Sequence, residues 1–380
     1  MPYGGFRPHS HLWWRIALRI HHRAVAEPFM NKKRALIYGV VLAVLAVLVY
    51  MQFRQWRNFD WRKFLEHTRD LSWLHVVYAT ALIYFAYILR AVRWKLFLRP
   101  VRPDASLASL ISLNMVGFTA LALLGRPGEL IRPYLIARRM NLSLSSQLAV
   151  WTVERIFDIA AFTVMMVAAI FLPGKLRDFA ASQPVYGQWL HLAGYLLTAI
   201  VLGLFGVAAA INYNGPAIAT WIEDRFSHLA RNLGHRVAQR IREFASGLNT
   251  IHSPASLVMI SAVSLLMWCC IAVTYNEVTH AYGSYMQDMG TKVLLLMGSS
   301  MVGSMLQLPG VGGGSQLATI EALDKVFHVP SEVAVSCGIL LWLVCFMAVI
   351  PVGLLLAHRE RISLRKVSEE SQHEQEIAAS

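Results

Sequence analysis

The chain alternates long apolar runs with short polar ones, and the runs have the length of membrane spans. Ala35 to Met51, Trp73 to Leu89, Ala105 to Leu124 and a segment ending at Leu172 fill the first half. Trp189 to Ile211, Ser256 to Ala281, Val293 to Leu308 and Glu332 to Ala357 fill the second. A helix needs about 20 apolar residues to cross about 30 Å of hydrocarbon, so these eight runs predict membrane helices. Ser145 or Ser146 is placed to cap the fourth. Two stretches have a different period. Between 217 and 252 apolar residues such as Ile218, Ile222, Phe226 and Leu229 recur every three or four positions, with five arginines on the other faces. That pattern predicts an amphipathic helix on the membrane surface. Glu129 to Met140, with Arg132, Arg138 and Arg139, reads as a shorter amphipathic helix.

Composition turns this pattern into a class. The sequence is 56% hydrophobic and 15% charged, which fits a multi-pass membrane protein and excludes an ordinary soluble enzyme. Its net charge of +13 would suggest nucleic acid in a soluble chain. Here the basic residues cluster between apolar runs, where the positive-inside bias and anionic headgroups account for them, and no nucleic-acid partner is expected. The first 34 residues carry Arg7, Arg15, Arg19, Arg23, Lys32, Lys33 and Arg34 against Glu27 alone, without a small-residue cleavage site. They read as an uncleaved, cytoplasmic lead into an anchor. Cys269, Cys270, Cys337 and Cys345 lie inside apolar runs without C-x-x-C spacing, so they read as packing residues. His9, His11, His21 and His22 lack a neighbouring carboxylate or cysteine and read as interfacial. Neither a metal nor a cofactor is expected.

Charge also bears on topology. Eight full crossings from an inside N-terminus would put 125–145, with four arginines and one glutamate, on the outside together with the arginine-rich 212–254. Both placements oppose the positive-inside bias. The alternative has six full spans and two re-entrant hairpins, 105–140 from the cytoplasm and 291–327 from the outside. Every strongly basic segment but 52–72 then lies inside, with both termini. The hairpins would be broken at Gly125, Pro127 and Gly128 and at Pro309, Gly310, Gly312, Gly313 and Gly314. Paired Gly/Pro-interrupted segments of opposite orientation point to an inverted repeat with a site between its halves. Helix N-termini opened beside Gly128 and Gly314 would offer N–H groups to an anion. Ordinary interfacial turns between full spans remain the other reading of both breaks. Either way the chain divides into a cytoplasmic basic segment 1–34, a transmembrane domain 35–357 that includes the cytoplasmic amphipathic helix over 212–254, and a cytoplasmic tail 358–380.

Particular residues add a resemblance. Arg93-Trp94, Gly-Arg-Pro-Gly-Glu at 125–129, Glu154-Arg155 with Asp158, and Pro309-Gly310-Val311-Gly312-Gly313-Gly314 with Glu321 resemble the transmembrane region of lysylphosphatidylglycerol synthases, a broad flippase-like membrane family. The resemblance covers most of 35–357. It implies an inner-membrane protein that binds and translocates an anionic lipid, either a phospholipid or a polyprenyl-phosphate-linked lipid. In those synthases aminoacyl transfer belongs to a separate soluble domain, and the residues after Ala357 are too few to form one. A homo-oligomer is compatible with the reading. A membrane enzyme or accessory subunit of lipid and envelope biosynthesis is an alternative, and a secondary transporter of a small anion is another.

Glu154, Arg155 and Asp158 lie within the fourth run, where charge is costly and usually has a purpose. Glu154 and Asp158 are four apart and share a helix face, and Arg155 can pair with Asp158. The structural reading is a buried ion pair that joins helices. The functional reading is that Arg155, with Arg126 and Arg132, holds a lipid phosphate through its planar fork of donors. Glu154 and Asp158 would then balance charge, with Glu129 and Glu321, each just after a Gly-rich break, as further partners. No G-x-S-x-G, H-E-x-x-H or P-loop pattern points to enzyme chemistry.

Overall fold

The structure is a computed structural model that describes residues 61–226, 254–286, 289–306 and 313–359. Every regular element among them is helical, and the chain is an all-α multi-pass membrane protein. The span expected over Ala35 to Met51, most of the amphipathic segment over 217–252, and the breaks at Pro309, Gly310 and Gly312 lie outside the described residues.

In chain order the helices are α1 (Trp61–Arg69), α2 (Trp73–Leu98), α3 (Leu107–Leu124), α4 (Ile131–Met140), α5 (Leu144–Phe171), α6 (Lys175–Ser182) and α7 (Pro184–Phe226). They continue as α8 (Pro254–His280), α9 (Val293–Gly303), α10 (Gly313–Glu321), α11 (Ser331–Trp342) and α12 (Val349–Arg359). Among the described residues five helices are long and apolar enough to cross a membrane, or six if α5 and α6, bent by 58° at their break, count as one. Pro173-Gly174 makes that break. The surface is apolar as lipid requires: Leu74, Val77, Trp189, Leu202 and Leu355 all project outward.

Two of the expected boundaries move. α2 does not stop at Leu89 but continues to Leu98, because residues 90–98 contain neither Gly nor Pro; Pro100 then prevents further helix. The cap of α5 is Ser143, not Ser145 or Ser146: its hydroxyl accepts the Ser146 N–H at 3.2 Å.

α2 and α8 run antiparallel, with Glu277 against His75, Thr274 against Ala79 and Ser264 against Arg93. The bundle therefore has two recognisable ends. One holds Ser72, whose N–H donates to Ala281 O at 3.1 Å, and the other holds Leu98. α3 and α4 form a hairpin with both feet at the Leu98 end, since Leu98, Ala105 and Leu110 pack in one cluster with Met140, Leu142 and Ala357. α9 and α10 form a second hairpin with both feet at the opposite end. There the Leu176 N–H donates to Thr291 Oγ1 at 2.9 Å, and the Phe327 ring lies 5.6 Å from that of Phe179. α9 has 11 residues, about 16 Å, roughly half of what a crossing needs.

Each hairpin closes on glycine. Gly125 ends α3 with φ 69°, in the half of the map that L side chains avoid, and a 3₁₀ turn at Arg126–Leu130 leads into α4. A Cβ at Gly128 would overlap the Ala120 carbonyl, and one at Gly117 would strike Arg132. In the second hairpin Gly313 opens α10 with φ 55°, and a Cβ at Gly303 would overlap the Gly314 carbonyl. Asn141, φ 52°, stops α4.

Gly353 of α12 packs on Thr119 and Met115 of α3, whereas Gly203 of α7 has no atom within 4 Å of a built Cβ. Gly353→Ala should therefore lower the melting temperature by the equivalent of about 1–3 kcal/mol. Gly128→Val, which must displace backbone, should be more damaging still. Gly203→Ala should match or slightly exceed wild type, as expected from helix propensity alone. Thermal unfolding of the three purified variants in detergent checks this.

Candidate functional site

The apolar interior divides into two clusters. One contains α2 up to Leu89, α5 from Ala161 and α8 from Met267; the other contains α2 from Ala91, α5 up to Phe157, and Ile260 of α8. At their boundary lies a layer of charge. Arg90 and Arg93 come from α2, Arg132 from α4, and Glu154, Arg155 and Asp158 from α5.

Glu154 is fully buried and its carboxylate is saturated. Oε1 accepts Arg93 Nη2 at 2.6 Å and Arg132 Nη1 at 3.1 Å; Oε2 accepts Trp94 Nε1 at 3.0 Å and Arg132 Nη2. Arg93, also fully buried, bridges to the next helical turn: its Nη1 donates to Asp158 Oδ1 at 2.7 Å and to Ser264 Oγ at 2.9 Å. Trp268 Nε1 donates to the same Oδ1 at 3.1 Å, and Asn114 Oδ1 accepts Arg132 Nη1 at 3.3 Å. Each ring nitrogen and guanidinium is aimed at a carboxylate, which is what makes ionised groups tolerable at this depth.

The outer part of the cluster is less complete. Asp158 Oδ2 lies 3.2 Å from Arg155 Nη2 and 3.8 Å from Arg90 Nη1, yet accepts no hydrogen bond. Arg90 Nη1 and Arg155 Nε are likewise buried atoms without a hydrogen-bond partner. The side chain of Arg155 is 40% exposed, so the guanidinium reaches the surface of the bundle. Phe118 stands between two of the cations, its ring centroid 4.9 Å from Arg90 and 5.0 Å from Arg132. Four guanidiniums meet two carboxylates here, an excess of +2. Glu129, which lines a small pocket with Arg132 and Arg155, reduces the excess to +1 when it is counted.

The structure thus brings together Glu129, Arg132, Glu154, Arg155 and Asp158. In α4, expected as an amphipathic helix, Ile131 to Ala137 are all buried, and Arg132 points inward because Gly117 leaves room for it. The N–H of Gly128 is not open to an anion, since it donates to Gly125 O at 2.8 Å. Arg126 and Pro127 form the start of the 3₁₀ turn. Glu321 is exposed at the end of α10, apart from the hydrogen bonds and ion pairs that build the cluster. Arg90, Asn114 and Trp268 are not singled out by the sequence, and Arg93 enters there only through the family resemblance. The available signal was Arg90 and Arg93 three apart, one helical turn, beyond an apolar run.

Glu154→Gln should be the most damaging single change in the cluster. It keeps shape but leaves Arg93 and Arg132 short of a counter-charge, at a cost of about 3–5 kcal/mol. A large fall in melting temperature is expected for Glu154→Gln and a smaller one for Asp158→Asn, whose Oδ2 already lacks a bond.

Comparison with known proteins places these observations. A glycosyltransferase, AglD, of Haloferax volcanii is 23% identical over 289 residues, which are 71% of this chain and 44% of that protein. The chain therefore spans less than half the length of that relative. No solved structure matches it. The profile of the lysylphosphatidylglycerol synthase TM region matches residues 36–365, which include both glycine-closed hairpins and the whole charged layer; the chain belongs to that family.

Proposed function

We propose that this protein binds an anionic lipid, or a lipid-linked intermediate, at the outer part of the charged layer and carries its headgroup across the membrane. The observation that carries the reading is the division of labour among the arginines. The terminal nitrogens of Arg93 and Arg132 are bonded to Glu154 and Asp158, with only Nε of Arg93 left over, whereas Arg90 and Arg155 approach Asp158 Oδ2 as ion pairs and keep donors without acceptors beside a net positive charge. In hydrocarbon such an excess calls for a counter-anion, and a phosphate fits paired guanidinium forks. Family membership favours a lipid as the source of that phosphate.

The arrangement proposed for transport is the inverted one. The Leu98 end, with Arg99, Arg102, Arg138 and Arg139, lies on the cytoplasmic side together with both termini. The α3–α4 hairpin then enters from the cytoplasm and the α9–α10 hairpin from the outside. Glu321, at the foot of the second hairpin, would meet a headgroup there rather than at the arginines.

A second reading draws on the relative's name. A chain similar to part of a protein called a glycosyltransferase could act as the membrane part of an enzyme that builds lipid-linked products. Sugar transfer by the purified protein would favour it over transport.

Proteoliposomes with fluorescent phosphatidylglycerol provide the test, with translocation read as the loss of protection from an external quencher. Wild type should translocate, and Arg155→Ala and Arg155→Lys should not. Lysine keeps the charge but loses the bidentate fork, so Arg155→Lys should stay folded. Phosphatidylglycerol should raise the melting temperature of wild type and not of Arg155→Lys. Equal stabilisation of the two would sink the ligand role of Arg155.

A further inference from the structure

A cavity of about 160 Å³ adjoins the charged layer between α2, α3, α8, α9 and the chain that follows α11. Ile83, Phe118, Trp268, Tyr275, Met297 and Phe346 make most of its wall apolar, and Arg90 is its cation. Nη1 of Arg90 is buried without a hydrogen-bond partner, 3.8 Å from Asp158 Oδ2. Trp268 belongs to both places, lining the cavity and donating to Asp158.

Between α11 and α12 the backbone widens into a π turn at Leu343–Met347, which carries the lining residues Cys345 and Phe346. Such turns are common at functional sites. Two tyrosines of α2 tie this stretch to the other wall: Tyr87 donates to Cys345 O at 3.3 Å and Tyr84 to Ala348 O.

We infer that this cavity holds the first carbons of a single hydrocarbon chain whose terminal phosphate is bound by Arg90. A dry cavity of about 150 Å³ takes up one benzene molecule, so this one has room for a chain segment of about six carbons and not for two chains side by side. The cation sits directly at the cavity, which matches a chain esterified straight to phosphate. In a diacyl lipid a glycerol unit separates the phosphate from two chains. The inference rests on the anion reading above for its phosphate half; the chain half rests on the cavity itself.

The test uses the full chain in phosphatidylcholine nanodiscs with radiolabelled farnesyl phosphate, competed by farnesol, inorganic phosphate and dioleoyl phosphatidylglycerol. Farnesyl phosphate should bind at least tenfold more tightly than either half alone. Arg90→Gln should weaken it about 10- to 100-fold. Ala86→Leu, which fills the cavity, should weaken farnesyl phosphate by a similar factor while leaving inorganic phosphate unchanged. Ser304→Leu fills it from α9's end and serves if Ala86→Leu fails to fold. Wild-type affinity in a folded filling variant would overturn the inference, as would displacement by dioleoyl phosphatidylglycerol at equal or lower concentration. Loss of phosphatidylglycerol translocation alone would count against the transport reading and leave this one standing. Translocation that survives the filling of a cavity that never bound farnesyl phosphate would do the reverse.

Discussion

The carboxylate of Glu154 is the constraint on which the rest of this structure depends. Four donors from three side chains converge on its two oxygens, and those side chains belong to α2 and α4. Hydrogen bonds to a charged group contribute about 1.5–3 kcal/mol each, and in hydrocarbon the alternative to making them is an unpaired charge. Three helices, of which α2 brings Arg93 from 61 residues before Glu154, are thereby fixed in register. Arg93 extends the constraint to α8 through Ser264 and to the next turn of α5 through Asp158. Elsewhere the helices are joined by single hydrogen bonds such as His75 to Glu277 and Tyr87 to Cys345 O, so the charged layer is the densest set of directional contacts among the described residues.

The same layer separates fastening from binding. A guanidinium whose two terminal nitrogens are bonded to carboxylates has little left for a substrate; one that only approaches a carboxylate has more. Arg93, apart from its Nε, and Arg132 are of the first kind, Arg90 and Arg155 of the second. This distinction bears on the choice left open between a buried ion pair and a phosphate grip. Glu154 belongs with the fasteners, while Asp158 faces both ways, with one oxygen fully used and the other idle.

The helical class, most of the spans and the two broken segments were legible because apolar length and glycine are local signals. Trp189 to Ile211 lies inside α7, and Ser256 to Ala281 nearly coincides with α8. Glu154 and Asp158 were legible for the same reason, as charges inside an otherwise apolar run. Arg90 was not, and Arg93 stood out only through the family resemblance. Placed after Leu89, they carry the same composition as a cytoplasmic loop, and it is the partners on α5, more than 60 residues away, that hold Arg93 in the interior. Arg132 was legible as a candidate ligand but its buried partners were not: what turns it inward is the empty side of Gly117. Tertiary partners override a local pattern wherever a charge finds its counter-charge.

That long-range dependence has a consequence for how the protein is made. Helices enter the bilayer in the order of synthesis, and α2 arrives with two arginines near its end while the acids that neutralise them lie 61 and 65 residues further on. An arginine deep in a lone helix costs about 2.5–3.5 kcal/mol on the insertion scale. Until α5 arrives, α2 is at its most stable when shifted so that Arg90 and Arg93 reach the headgroups, as long basic side chains do near helix ends. Glu154 and Asp158 then supply the counter-charges with which Arg93 is stable in the interior. The charged layer is thus also a late assembly step, and a chain interrupted before α5 would leave α2 held at the interface.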